Sequence, residues 1–332
     1  TFERTFDTEI AGTRVRAPIM QIHTVAAGGG SLLHFDGARF RVGPDSAGAN
    51  PGPASYDKGG PLTVTDANVM LGKIQPNYFP HVFGPNANQS LNFNAVHSKF
   101  EALSEEVGKT PQDVAQGFLQ VANQNMANAI KKISVEKGYD VTEYALVSFG
   151  GAGGQHACDV ADILGMDVIF IHPLAGVLSA YGMGLAELRV MRESVVEKPL
   201  SKNTLEEIQE LFLKLVSDMK KELTDQGVSD EKILIQEKLH LRYSGTDTPL
   251  QIPFEKFSNI KVAFEKSHRQ RFGFDETNRV LIVESVVAEA IGSTEYSKDP
   301  ELPMTAKKNP KELDQAEVFF STNSINTPIY DR

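Results

Sequence analysis

The period of the apolar positions changes several times along the chain. From Arg14 to Val42 they fall in short extended runs, Ile19 to Val25, Leu32 to Phe35 and Arg39 to Val42. The first two runs are separated by Ala26-Ala27-Gly28-Gly29-Gly30-Ser31, the last two by Asp36-Gly37, a dipeptide suited to a tight hairpin because glycine accepts positive φ. This predicts a β-meander with a glycine loop at one corner. Gly43 to Gly60 is too dense in glycine and proline for a helix or a central strand, so it must be an ordered or a mobile loop. Thr65 or Asp66 then caps a short helix running to Ile74. A Pro/Asn-rich connection leads to about Leu91, and a helix follows from about Asn94 to Val107.

Pro111 to Glu136 carries the clearest helical pattern, with Val114, Phe118, Val121, Ala122, Met126, Ala129, Ile130 and Ile133 at three- and four-residue spacing. Thr110 caps it, Pro111 suits its first turn and Gly138 ends it. Tyr144 to Phe149 reads as a strand entering Gly150-Gly151-Ala152-Gly153-Gly154, followed by a helix to Leu164 and a strand from Asp167 to Ile171: one βαβ unit. A helix from about Gly176 to Leu188 leads into an extended stretch ending near Lys198-Pro199.

After Pro199 charge density rises and glycine-rich corners vanish. Leu205, Ile208, Phe212, Leu215, Met219 and Leu223 share one face of a strongly amphipathic helix. Strands near Ile233 to Tyr243 and Pro249 to Ile252, a helix near Asn259 to Phe272 and a strand Val280 to Glu289 follow, and a short strand-like run lies near Phe319. The change in character places a domain boundary at residue 199, giving domains 1–199 and 200–332. With no initiator Met and abrupt ends, the sequence reads as a segment cut from a longer or processed chain.

Composition narrows the function classes. Lys and Arg number 33 against 43 Asp and Glu, a net charge of −10 that disfavours nucleic acid and anionic lipid. No apolar run approaches the roughly 18 residues of a membrane span, and no signal-peptide pattern opens the chain. The single cysteine, Cys158, cannot pair within the chain and reads as a small buried residue; a reducing, cytoplasmic setting is expected.

The two glycine clusters sit at strand ends, where backbone N–H groups can approach phosphate with no Cβ in the way. The second also opens a helix, whose N-terminus favours an anion. Neither has the spacing of a dinucleotide fingerprint or a P-loop, so either one alone could be only a tight corner. Their order, a glycine loop in a meander, a long helix, then strand-Gly-Gly-x-Gly-Gly-helix, resembles the actin, sugar-kinase and heat-shock ATPase superfamily. That resemblance implies that the first loop grips the β/γ-phosphates and the second holds the adenosine side.

Longer blocks are similar to the hydantoinase A/5-oxoprolinase family: Ile22-His23-Thr24 through Ser31, Val42-Gly43-Pro44 to Pro51-Gly52-Pro53-Ala54, Thr63-Val64-Thr65-Asp66-Ala67-Asn68, Phe149 to Cys158, and Gly176 to Gly182. Tyr78-Phe79-Pro80, Phe83-Gly84-Pro85-Asn86 and Leu239 to Asp247 resemble the 5-oxoprolinase branch more than the hydantoin or acetone-carboxylase branches. The resemblance covers most of residues 10 to 295. It implies an α/β fold: an actin-like (ribonuclease H-like) ATPase lobe with a mixed sheet and glycine phosphate loops, plus a smaller C-terminal α+β domain.

The activity so implied is ATP-dependent opening of a cyclic amide, 5-oxo-L-proline giving L-glutamate, through phosphorylation of the lactam oxygen. Gly28, Gly29, Gly30 and Ser31 are then assigned to the phosphates and Gly150, Gly151, Gly153 and Gly154 to the nucleotide's other end, with ATP and Mg²⁺ as cofactors and no dedicated metal ligands in the chain. His23, Asp66 and His156 are the candidates for polar work at the reacting centre. Two have plainer readings, Asp66 as a helix cap and His23 as a satisfied strand histidine, whereas the place of His156 in a first helical turn beside the glycine loop favours a functional role. Asn123, Asn125 and Asn128 crowd the long helix and either face the nucleotide or water.

The superfamily's N-terminal phosphate loop and the hydantoinase B-like partner region are missing, and Ser55 stands where many relatives carry Cys. The segment alone is therefore expected to be inactive, with the rest of the ATPase and the B-like region as its partners and self-association left open. Two other classes remain, an N-methylhydantoinase- or acetone-carboxylase-type ATP-using subunit and a non-enzymatic actin-like nucleotide-binding module.

Overall fold

The computed structural model describes residues 4–10, 13–20, 24–276, 279–293, 311–320 and 323–330. In chain order the elements are strands β1 (Arg4–Ile10), β2 (Thr13–Met20), β3 (Ser31–Phe35) and β4 (Phe40–Ser46), then helices α1 (Val64–Met70), α2 (Phe93–Val107) and α3 (Pro111–Glu136). There follow β5 (Leu146–Ser148), α4 (Gly154–Leu164), β6 (Ile169–Ile171), α5 (Leu178–Gly184), β7 (Leu188–Pro199), α6 (Lys202–Asp225), β8 (Ile233–Tyr243) and β9 (Leu250–Pro253). The last elements are α7 (Phe257–Phe272), β10 (Leu281–Gly292), β11 (Glu312–Phe320) and β12 (Asn323–Tyr330). The fold is mixed α/β.

Two compact units share these elements: one gathers the described residues of 1–22, 135–139 and 179–301, the other those of 23–134, 140–178 and 302–332. In the first, β7, β10, β8 and β9 form an antiparallel sheet in that order. β10 is central, and its residues Val286 to Ile291 are all buried, Glu289 among them with Arg189 Nη1 at 3.0 Å from its carboxylate. Ile208, Phe212, Met219 and Leu223 of α6 are fully buried in the core they share with Leu239, Leu241 and Val286. Each such side chain removed from water contributes about 1.5–3 kcal/mol, which is why this amphipathic face fixes the helix.

The second unit holds the glycine segments. Its main core joins α1, α2 and α3 through Val64, Phe100, Val114, Phe118 and Leu119, with Leu33 and Phe40 of the β3–β4 hairpin packed against it. A smaller core of Ala127, Val160, Ala161, Leu164 and Met166 seats α4 on the C-terminal half of α3. β5 and β6 pair in parallel on either side of α4, the expected βαβ unit.

Several sequence expectations need correction. The meander is two separate hairpins, β1–β2 in one unit and β3–β4 in the other; the second turns at Asp36, whose carboxylate accepts Ala38 N and Arg39 N, with Gly37 at φ +87°. β2 ends at Met20, and Thr24 and Val25 lie outside any strand because the chain turns there, Ala27 N bonding Val25 O at 2.9 Å. The helix expected to reach Leu188 stops at Gly184: Gly182 and Gly184 weaken it, and Leu188 pairs with Gly292 in the sheet. β7, assigned from sequence to the N-terminal domain, is an edge strand of that same sheet, so its pairing pulls it across the boundary drawn at residue 199. The C-terminal strand-like run is a full hairpin, β11–β12, which joins the second unit through Phe319 N to Leu71 O at 2.9 Å.

Candidate functional site

The first glycine segment is a tightly bonded corner. Gly28 N donates to Ser31 Oγ at 3.0 Å and Ser31 N to Gly28 O at 3.0 Å, closing a small ring. Gly29 O accepts both Thr65 N at 2.9 Å and Thr65 Oγ1 at 3.0 Å, and Gly30 O accepts Ala47 N at 2.9 Å. A Cβ on Gly29 would lie 2.8 Å from Thr65 Oγ1, and one on Gly30 would lie 2.8 Å from Ser46 Oγ. A larger residue at either position would force that hydroxyl to move. Gly28 differs: the space a Cβ would take is open.

Asp66, next to Thr65, ties down the adjoining loop. The helix cap is Thr63 rather than Thr65 or Asp66, and Asp66 stands three residues in, closing a capping box. Its carboxylate accepts Ala54 N at 3.0 Å, Ser55 N and Thr63 N at 2.8 Å, and Thr63 Oγ1 at 2.9 Å. The glycine- and proline-rich loop is thus ordered around a fully buried carboxylate. Burial pushes the Asp66 carboxyl above the ordinary carboxylate value, while the bonds from Ser55 and Thr63 pull it back down.

The second segment is open. Gly150, at φ +88°, turns the chain out of β5, its N–H bonded to Ala175 O at 2.8 Å. Gly153 is packed, since its Cβ would meet Phe149 O at 2.6 Å, but Gly150, Gly151 and Gly154 have nothing within 4 Å of that position. No side chain caps α4; Gln155 N and His156 N donate to Ala152 O and Gly153 O at 3.2 Å, and the partial positive charge of the helix start lies beside the glycine backbone.

His156 lies in that first turn and is buried. Its Nδ1 is 2.7 Å from Asn123 Oδ1; Asn123 Nδ2 donates to Asp159 Oδ2 at 2.9 Å, and Lys73 Nζ reaches the same oxygen at 3.2 Å. Burial first, and the Lys73 charge second, hold the His156 imidazole below its ordinary value of 6.5, with Asp159 opposing. The ring is neutral at neutral pH.

α1 links the two segments. Its Thr65 bonds the first at Gly29, and Lys73, just past its C-terminus, bonds Asp159 on the helix that begins at the second.

His23 lies outside the described residues. Asn123 points inward to His156, whereas Asn128 is exposed and accepts a hydrogen bond from Gln124. Cys158, expected to be buried, is exposed, because the helical period turns it away from the face carrying His156, Ala157 and Val160. Lys73 and Asp159 were not anticipated; they meet across 86 residues. Among the described residues no group of three or more His, Cys, Asp or Glu could hold a metal ion, and no helix is long and apolar enough to cross a membrane.

The Hydantoinase/oxoprolinase family profile matches residues 1–192. A 5-oxoprolinase of Saccharomyces cerevisiae is 42% identical over 90% of this chain and 24% of its own length, and one of Dictyostelium discoideum is 38% identical over 99% of this chain and 27% of its own. This chain therefore spans about a quarter of the length of these relatives. Among solved structures, the ATP-dependent caprolactamase of Pseudomonas jessenii superposes with a TM-score of 0.85 at 28% identity, covering 98% of this chain and 49% of that one.

Proposed function

Because the chain belongs to the hydantoinase/oxoprolinase family, we propose that it is the nucleotide-handling portion of an ATP-dependent cyclic-amide hydrolase that opens 5-oxo-L-proline to L-glutamate with release of ADP and phosphate. The observation that carries the substrate assignment is the match to 5-oxoprolinases across nearly the whole chain.

Opening a five-membered lactam is hard because amide resonance weakens the carbonyl as an electrophile and the nitrogen as a leaving group. ATP would supply a phosphoryl group to the amide oxygen, opening the ring carbon to attack by water; the C–N bond of that adduct then breaks to free the amine, and a second water hydrolyses the resulting acyl phosphate to the carboxylate and phosphate. The protein's part is positioning and charge stabilisation. Gly28 to Ser31 would hold the phosphates and Gly150, Gly151, Gly153 and Gly154 the other end of the nucleotide. The open Cβ positions at Gly28, Gly150, Gly151 and Gly154, with the uncapped start of α4, fit such a ligand. Mg²⁺ would come with the phosphates, held through their oxygens and water.

Asp66 acts through the loop it ties down: its four hydrogen bonds fix residues 54–55 and the start of α1, whose Thr65 in turn fixes Gly29. His156, neutral and beside the open turn, is the residue suited to proton handling, and His23 is retained as a further candidate. The remaining length of the relatives would supply the rest of the ATPase and the B-like region.

The test is ATP hydrolysis by the complete polypeptide with Mg²⁺. Phosphate release should depend on 5-oxoproline and proceed more slowly with the seven-membered ring of caprolactam. Hydrolysis indifferent to any lactam, or nucleotide binding with no hydrolysis at all, would contradict the assignment.

A further inference from the structure

The hydrogen-bond chain behind the open glycine turn decides which nitrogen of His156 carries the proton. Asp159 Oδ2 receives Lys73 Nζ at 3.2 Å and Asn123 Nδ2 at 2.9 Å. A carboxylate only accepts, so the amide nitrogen of Asn123 must face it and the amide oxygen must face the imidazole. His156 Nδ1 lies 2.7 Å from that oxygen, which has no proton to give. The proton therefore sits on Nδ1. In a neutral ring the lone pair is then on Nε2, which bonds no described residue.

The arrangement is built to stay this way. Asn123 is 2% exposed and His156 6%, so water cannot substitute for either partner without opening the junction of α3 and α4. The Lys73 side chain, 11% exposed, balances the charge of Asp159, and a second cation on the ring would stand beside it and at a helix N-terminus, where positive charge is disfavoured.

We propose that Asn123, pinned by Asp159 and Lys73, is a positioning residue that holds His156 as the Nδ1-protonated tautomer, so that its Nε2 accepts a hydrogen bond from an O–H group in the bound complex rather than donating to phosphate. This rests on the reading of residues 150–154 as part of the nucleotide site. The O–H belongs either to the attacking water or to a nucleotide hydroxyl, and these are separable. With water as the donor, Asp159→Asn lowers turnover and leaves ADP affinity unchanged; with a nucleotide hydroxyl, ADP affinity falls too.

The experiment is ¹⁵N solid-state NMR of the complete protein labelled at histidine, with the His156 signals identified by their loss in His156→Gln. At pH 7.5 the wild type should show a protonated Nδ1 and a bare Nε2. In Asp159→Asn, where the Asn123 amide is free to flip, and in Asn123→Leu, Nε2–H signal should appear, and lactam-dependent kcat should fall about tenfold or more. A wild-type ring protonated at Nε2, or a tautomer shift with kcat unchanged, overturns the proposal. Failure of the complete protein to bind nucleotide would instead sink the underlying site assignment, and the isotope spectra, which need no nucleotide, tell the two apart.

Discussion

The two glycine segments are alike in sequence and opposite in construction. Gly29 and Gly30 are glycine because Thr65 Oγ1 and Ser46 Oγ stand where a Cβ would go, whereas Gly150, Gly151 and Gly154 border open space. The first segment is a corner bonded to a helix through Thr65, next to a buried carboxylate that ties down the adjoining loop; the second is backbone bordering open space at the start of another helix, where no side chain caps. Glycine therefore serves internal packing in one case and borders open space in the other. Substitutions should separate the two, in stability on one side and in nucleotide affinity on the other.

The largest loss of stability is expected at the lock. Asp66→Ala leaves Ala54 N, Ser55 N and Thr63 N buried without acceptors, costing about 3 kcal/mol or more, to be read from urea denaturation. Gly29→Ala and Gly30→Ala should each cost roughly 1–3 kcal/mol through overpacking. Thr65→Val removes one hydroxyl bond to Gly29 O and should cost about 1 kcal/mol. If these variants were all as stable as the wild type, the locked-corner description would be wrong.

The second segment should respond differently. The folded His156 value lies below 6.5, so on acidification the unfolded chain takes up the proton first. The stability that this neutral ring contributes is complete above pH 6.5 and is lost as pH falls through the folded value. Comparing denaturation of wild type and His156→Gln between pH 7.5 and 5.5 should show the gap narrowing with acid. His240, also held low by burial, is present in both proteins and cancels. The smallest stability effect belongs to Gly151→Ala, within about 0.5 kcal/mol, yet its affinity for ADP, measured calorimetrically in the complete protein, should drop about tenfold.

Much of the framework was legible because it is local. The period of α6 gave its buried face and that of α3 gave Val114, Phe118 and Ala122 but not Ala115, Leu119 or Ala127; Asp36-Gly37 gave the β3–β4 turn, and strand, glycines and helix in sequence gave the βαβ unit. What stayed hidden depends on partners far along the chain. Lys73 and Asp159 carry no local sign of their pairing, and β7 could be placed only by the strand that receives it. Asn123 was nearer to legible: an amide between Ala122 and Ala127 on the apolar face of α3 needs a polar partner, and Asp159, three residues after His156, lies on the same side of its helix. The cap was misplaced because Thr63 and Thr65 both precede the apolar run, and only the reach of Asp66 back to Thr63 N distinguishes them.

The most direct test of a nucleotide at these backbone segments is amide hydrogen exchange on the complete protein, with and without a saturating non-hydrolysable ATP analogue and Mg²⁺. The amides of residues 150–154 should slow strongly and those of 28–31 should slow further from an already protected level, with the β8–β10 pairing unchanged. Unaltered exchange at 150–154 in the saturated protein would contradict the account.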